Sequence, residues 1–214
     1  KIHGGLLGGR RVPDHVAQMQ QHGIGNIDVG VVTLYPFEAT IAKPDCPFEE
    51  AIENIDIGGP SMLRSAAKNH ENVLGLVDPA DYGRVLEALK AESVTPALRR
   101  ELAMKVFQHT ARYDSLIAGY LEKQVQGSEI KFPAILSLQF ERVETLRYGE
   151  NPHQKAIWYK RRGAQTGWQD AKILQGKELS YNNLLDLESA LGLLREFDQP
   201  SAVAVKHNNP CGAA

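Results

Sequence analysis

Apolar positions recur at two different spacings along the chain, and the spacing changes past its midpoint. From Thr95-Pro96 to about Gln124, Leu98, Leu102, Val106, Thr110, Tyr113 and Ile117 fall every three or four residues, the spacing of one helix face, and read as core. Shorter helices are predicted around this one. Pro13–His22 opens on Pro13 and Asp14, turns Val16 and Met19 inward and stops at Gly23. Phe48–Ile55 is short and acidic, with Ile52 and Ile55 apolar. Ser61–Asn69 follows Pro60 and carries a narrow apolar face of Leu63, Ala66 and Ala67. A helix from Asp78-Pro79 to about Ala91 takes Asp78 as its cap. Near-continuous apolar runs at Ile27–Leu34 and Val73–Val77 read as buried strands of a parallel sheet. This order, β-α-β-α-α, predicts a three-layer α/β domain.

Gln126-Gly127-Ser128 is the best linker candidate, and beyond it the period drops to two. Leu136, Leu138 and Phe140 alternate with Ser137, Gln139 and Glu141, as in a half-buried strand. Ala156–Tyr159 and Ala171–Leu174 read as short strands, and Ala202–Val205 as a buried one. A helix to about Phe197 follows Leu179–Asp186. A second domain is therefore expected, with boundaries at 1–128 and 129–214.

Composition narrows the classes. The 214 residues suffice for one large domain or two small ones, and 43% hydrophobic with 23% charged residues is an ordinary soluble mix. The 24 Lys and Arg against 26 Asp and Glu leave a net charge of −2 with no basic block, which argues against nucleic-acid binding as the main function. No apolar run approaches the roughly 20 residues of a membrane span, and no signal peptide opens the chain. Two distant cysteines, Cys46 and Cys211, fit a reduced cytoplasmic protein, with a single disulfide as the open alternative. The chain begins at Lys1-Ile2-His3 without Met and stops just after a motif, as expected of an internal piece of a longer protein.

Candidate chemistry gathers at four places. Asp56 precedes Gly58-Gly59-Pro60, and Lys68 closes the helix that follows, so one rigid element offers an acid at one end and an amine at the other. The plainer alternative makes Asp56 a cap and Lys68 a solvated charge. Tyr35, in Leu34-Tyr35-Pro36-Phe37, sits at the carboxyl end of a strand, where open α/β sheets bind ligands; a packed aromatic is the alternative. Arg147 and Tyr148, in R-Y-G-E-N-P-H-Q, suit phosphate binding, or else a surface loop with an Asn-Pro turn. Asn183 by itself reads as an N-cap of the helix that follows. Lys206 beside His207 suits acyl transfer, with the imidazole taking a proton from an amine and the cation stabilising the oxyanion. His109 reads as structural. Lys1–Arg11 has neither Walker nor Rossmann spacing and reads as a mobile loop. Zinc chemistry is rejected: P-C-x-x-C is incomplete because Ala213 and Ala214 follow Cys211-Gly212, and no H-x-E occurs. His207 and Cys211 alone do not close a zinc site.

Seven segments, K-I-H-G-G-L-L, L-Y-P-F, I-D-I-G-G, A-A-K-N-H, R-Y-G-E-N-P-H-Q, L-S-Y-N-N and K-H-N-N-P-C-G, resemble in order the signatures of the bifunctional AICAR transformylase/IMP cyclohydrolase family. The resemblance implies a methylglyoxal-synthase-like parallel-sheet domain over 1–128, lacking its N-terminal part and the family's catalytic lysine before Lys1. It implies the start of a cytidine-deaminase-like α/β domain without zinc over 129–214. The implied activity is formyl transfer from 10-formyltetrahydrofolate to AICAR, then closure of formyl-AICAR to IMP with loss of water. Tyr35, Asp56 and Lys68 would serve closure, Lys206 and His207 transfer, and Arg147, Tyr148 and Asn183 nucleotide binding. A cytoplasmic homodimer is implied, with transformylase sites between subunits and with no metal, nucleic acid or membrane involved. The competing class is a regulatory nucleotide-binding module of the same first-domain fold, with an inactive enzyme relic as a third. Asp56 with Lys68, and a transformylase segment in the same chain, favour the enzyme.

Overall fold

The long apolar stripe folds as one helix, α7 (Pro96–Gln126), in a computed structural model that describes residues 1–126, 133, 135–163 and 167–214. The Thr95 hydroxyl caps it, accepting from the Leu98 N–H at 3.1 Å. Leu102, Val106, Thr110 and Tyr113 are buried, while Leu98 and Ile117 are half-buried where the stripe runs out. The chain divides into two compact units, Lys1–Ile135 and Leu136–Ala214. Gly127 and Ser128 of the expected linker lie outside the described residues.

In the first unit, β1 (Val29–Val31) and β2 (Leu74–Leu76) pair in parallel, Val29 opposite Leu74 and Val31 opposite Leu76. An α/β fold with parallel strands is thus present. β2 is buried throughout, packed by α7 and by α5 (Gly58–Lys68). β1 departs from the expected buried strand: it is three residues long, and Val31 is 54% exposed. Among the described residues β2 is its one paired neighbour, so one edge of the apolar run stays uncovered.

Lys1–Arg11 is not a loop. Ile2–Leu7 forms a helix, α1, with Leu6 buried. Its glycines serve contact rather than mobility, because a Cβ on Gly5 would fall 2.6 Å from the Gly25 carbonyl oxygen. The expected helices follow as α2 (Pro13–Gln21), α4 (Phe48–Glu53) and α5, and a short helix not foreseen, α3 (Phe37–Ile41), comes between α2 and α4. Phe37 of α3 is fully buried, edge-on to Tyr113 and Tyr120 with centroids 6.2 and 5.7 Å apart. The Asp78 helix splits into a 3-10 turn (Pro79–Asp81), whose Ala80 N–H donates to Asp78 at 2.9 Å, and α6 (Tyr82–Lys90).

A buried ion cluster ties α6 to α7. Asp81 is 3% exposed; the Lys105 amine reaches both its oxygens at 2.8 Å, and the Arg84 Nε donates to it at 2.8 Å and continues to Glu101. Burial pushes the Asp81 carboxyl up, but the hydrogen bonds from Lys105 and Arg84 outweigh it and hold the group below the ordinary carboxylate range.

The second unit holds an antiparallel pair, β3 (Phe140–Leu146) and β4 (Ala156–Arg161), then α8 (Tyr181–Leu194), then a hairpin of β5 (Val203–Lys206) and β6 (Asn209–Ala213). The period-2 run therefore pairs later than expected, because Leu136 and Leu138 stand exposed before β3. Residues 171–174 form no strand; a 3-10 turn (Trp168–Asp170) precedes them. The A-V-A-V run is not buried: only Val203 and Val205 turn inward, half-covered, as a two-stranded hairpin allows.

Candidate functional site

Three chain segments converge on Asp56, between α4 and α5. Its Oδ1 accepts from the Gly59 N–H at 2.7 Å, and its Oδ2 from the Tyr35 N–H at 3.3 Å. Its own N–H donates to the Tyr113 hydroxyl at 2.8 Å, and that hydroxyl donates onward to the Asn54 carbonyl at 3.1 Å. One carboxylate oxygen thus caps the start of α5, as the plainer alternative held, while the other fixes the end of the strand segment. A Cβ on Gly59 would lie 2.6 Å from Asp56 Oδ2 and 2.7 Å from Leu34 Cδ2, so any larger residue there must displace the carboxylate or the Leu34 side chain. Burial pushes the Tyr113 hydroxyl above the ordinary phenol range, against the hydrogen bond from the Asp56 backbone. Tyr35 is 56% exposed, beside Asp56 rather than packed in the core.

Lys68 ends α5, about 15 Å from Gly58 at ~1.5 Å of rise per residue. The structure brings Tyr35 and Asp56 together and leaves Lys68 at the opposite end of the helix. There it lines a cleft of about 780 Å³ with Leu7, Ser61, Arg64, Ser65, His70 and Phe107. The Arg64 guanidinium sits 5.4 Å over the Phe107 ring, and Ser61 Oγ lies 2.8 Å from His3 Nε2. Among the described residues that line this cleft none is acidic.

In the second unit, Arg147 and Asn183 line one cavity of about 510 Å³ with Lys177, Asp186 and Val205 among others. The Arg-Tyr segment is zipped to the start of α8: Arg147 N–H donates to the Leu179 carbonyl at 2.8 Å, and Tyr181 N–H to the Tyr148 carbonyl at 3.0 Å. The Arg147 guanidinium stacks 4.9 Å over the Tyr148 ring and donates to its hydroxyl at 3.3 Å. The N-cap of α8 is Ser180, not Asn183. Asn183 stands three residues on, and its Oδ1 accepts from the Ser180 N–H at 3.0 Å and the Ser180 hydroxyl at 2.9 Å. Its carbonyl is therefore spent on the cap, while its amide NH₂ donates to no partner among the described residues.

Lys206 and His207 are exposed, at the tip of the β5–β6 hairpin. His207 and Asn208 form its two-residue loop with φ of 52° and 62°, the signature of a type I′ turn. The Asn208 N–H donates to Asp186 Oδ1 at 2.7 Å, and Ser189 hydrogen-bonds the Asn208 side chain. Neither Lys206 nor His207 lines the cavity, but Val205, their neighbour on β5, does. Cys46 and Cys211 are free thiols, and among the described residues no group of three His, Cys, Asp or Glu could hold a metal ion.

Sequence reasoning missed Tyr113 and Asp186. Tyr113 was absorbed into the core stripe, where its ring belongs; only its hydroxyl acts elsewhere. Asp186 ends the Leu179–Asp186 segment, but nothing in spacing ties it to a turn 22 residues away.

Residues 66–214 match the family model described as AICARFT/IMPCHase bienzyme, and the chain belongs to that family. Its curated relatives carry the name bifunctional purine biosynthesis protein PurH. Identity is 55% over 213 residues with that of Bacillus subtilis (strain 168) and 52% over 216 residues with that of Acetivibrio thermocellus. The alignments take in 99–100% of this chain and 41–42% of those proteins, so the chain spans under half the length of the relatives it matches. A solved structure described as the crystal structure of ForH is 35% identical, with a TM-score of 0.49, over 54% of this chain and 60% of that one.

Proposed function

We propose that the chain is a working part of a bifunctional enzyme that transfers a formyl group from 10-formyltetrahydrofolate to AICAR and closes the product to IMP. The observation that carries this reading is its 52–55% identity, over almost its whole length, to proteins named for purine biosynthesis. In this reading residues 1–128 belong to a methylglyoxal-synthase-like cyclohydrolase domain, and 129–214 begin a cytidine-deaminase-like transformylase domain. The protein is a cytoplasmic homodimer acting on AICAR, formyl-AICAR and IMP. Among the described residues no helix is long and apolar enough to cross a membrane.

In formyl transfer, the AICAR amine attacks the formyl carbon of the folate. The amine loses a proton, and tetrahydrofolate leaves. His207 takes that proton, which passes to the departing folate nitrogen as its bond to the formyl carbon breaks, and Lys206 stabilises the oxyanion that forms on the formyl oxygen. Arg147, Tyr148 and Asn183 bind the nucleotide; the cavity shared by Arg147 and Asn183 supports that role. In closure, the carboxamide nitrogen attacks the formyl carbon of the same molecule and water departs. Asp56 and Lys68 manage proton transfer and charge, with Tyr35 hydrogen-bonding the formyl oxygen. In this reading Asp56 and Lys68 act at different ends of the substrate, and their placement at opposite ends of α5 supports that division.

The test follows conversion of formyl-AICAR to IMP by ultraviolet absorbance in the full-length enzyme and its Lys68→Met variant. Cyclisation falling at least tenfold is expected; a rate within twofold of wild type would remove Lys68 from the mechanism. His207→Ala should lose formyl transfer and keep cyclisation, and intact transfer would refute its role.

A further inference from the structure

The turn that presents His207 is held in an uncommon conformation by a side chain from another element. Left-handed φ is unusual for any residue with a Cβ, and here two such residues stand in succession at 52° and 62°. A type I′ loop prefers glycine at its second position, where this chain has Asn208. What offsets that preference comes from α8. Asp186 accepts the Asn208 N–H at 2.7 Å, and Ser189, one helical turn on and on the same face, hydrogen-bonds the Asn208 side chain. Asp186 makes no ion pair among the described residues, so its carboxylate is committed to the turn. It also lines the cavity that holds Arg147 and Asn183.

We propose that Asp186 is a positioning residue for formyl transfer: by holding the Asn208 N–H it fixes the His207–Asn208 turn, and with it the aim of His207 and Lys206. The inference rests on the transfer role given to those two residues above. Asp186 acts through the backbone of Asn208 and donates nothing to the reacting atoms. The requirement is therefore for an acceptor oxygen at that place, not for a negative charge.

That distinction defines the experiment, made in the full-length enzyme with steady-state formyl transfer and cyclisation measured side by side. Asp186→Ala should lower kcat for transfer at least tenfold, change KM for AICAR less than threefold and leave cyclisation unaltered. Asp186→Asn keeps a carbonyl oxygen able to accept the Asn208 N–H and should stay within threefold of wild type. Asn208→Gly in the Asp186→Ala background should restore at least threefold of the lost kcat, because glycine takes φ near 60° without a Cβ penalty. Hydrogen exchange over residues 203–213 should quicken in Asp186→Ala and not in Asp186→Asn, whether or not the alanine variant is active. Wild-type kcat in Asp186→Ala overturns the proposal. So does a rise in KM alone, which marks a substrate contact, and so does equal loss in the alanine and asparagine variants without rescue by glycine. Intact transfer in His207→Ala would instead overturn the reading beneath it.

Discussion

Tyr113→Phe removes one oxygen atom from the core of the first unit and leaves the ring in place. The side chain is 7% exposed, and its edge-on contact with Phe37 does not involve the hydroxyl. The hydroxyl receives the Asp56 N–H at 2.8 Å and donates to the Asn54 carbonyl at 3.1 Å. Phenylalanine strands both partners. Asp56 and Asn54 are both half-buried, so each stranded group costs at the low end of about 1–3 kcal/mol. The expected loss is therefore about 2 kcal/mol. For a unit of this size that corresponds to a Tm shift of roughly 4–8 °C. Urea unfolding followed by far-ultraviolet circular dichroism reads it through the helices. Both tryptophans, Trp158 and Trp168, lie in the second unit, so fluorescence supplies an internal control. Cyclisation by the full-length variant should fall, since the backbone of Asp56 loses its anchor, and formyl transfer should not. A destabilisation below about 0.5 kcal/mol, the range of an ordinary surface change, would refute the anchoring argument.

Gly59→Ala drives a Cβ to 2.6 Å from the Asp56 carboxylate. Cyclisation should fall at least tenfold in the absorbance assay, and overpacking should cost about 1–3 kcal/mol in urea unfolding. Asp81→Asn leaves Lys105 and Arg84 without their shared partner. Both cations are partly exposed, so the cost sits at the low end of a broken buried pair, about 3 kcal/mol. The pH profile carries a sign. The Asp81 carboxyl is held below its unfolded range, so its contribution is fully present above the unfolded value, about 3.9, and is lost as pH falls through the lower folded value. Acid unfolding below about pH 4 should therefore be shallower in Asp81→Asn than in wild type; identical slopes would contradict the assignment.

The sequence exposed those features whose physics is local. The α7 stripe, the Asp78 and Thr95 caps and the start of α2 at Pro13 follow from spacing and from single side chains. It misled where a residue's role depends on what lies across from it. Gly4 and Gly5 read as freedom and proved to be close packing, because what a Cβ would meet there, the Ile24 side chain at Gly4 and the Gly25 carbonyl at Gly5, lies 20 residues further along the chain. The apolar run at β1 promised burial on both faces, but Val31 is 54% exposed, and among the described residues β2 is its one paired neighbour. At the candidate sites, residue types in motifs marked Asp56, Arg147 and His207, but the partners that hold them came from folding alone: Tyr113 for Asp56, the Leu179 carbonyl for Arg147, Asp186 for the His207 turn.

The β5–β6 ladder slips between Ala204 and Val205: Ala204 faces Gly212, Val205 faces Pro210, and Cys211 is the extra residue between them. Its thiol is exposed and free, and belongs to no cross-strand pair. A probe attached to Cys211 would hang from the hairpin without displacing a partner residue, four positions beyond His207. The hairpin thus carries its own reporter position, from which opening of the turn can be followed by fluorescence or spin labelling while Lys206, His207 and Asp186 keep their native side chains.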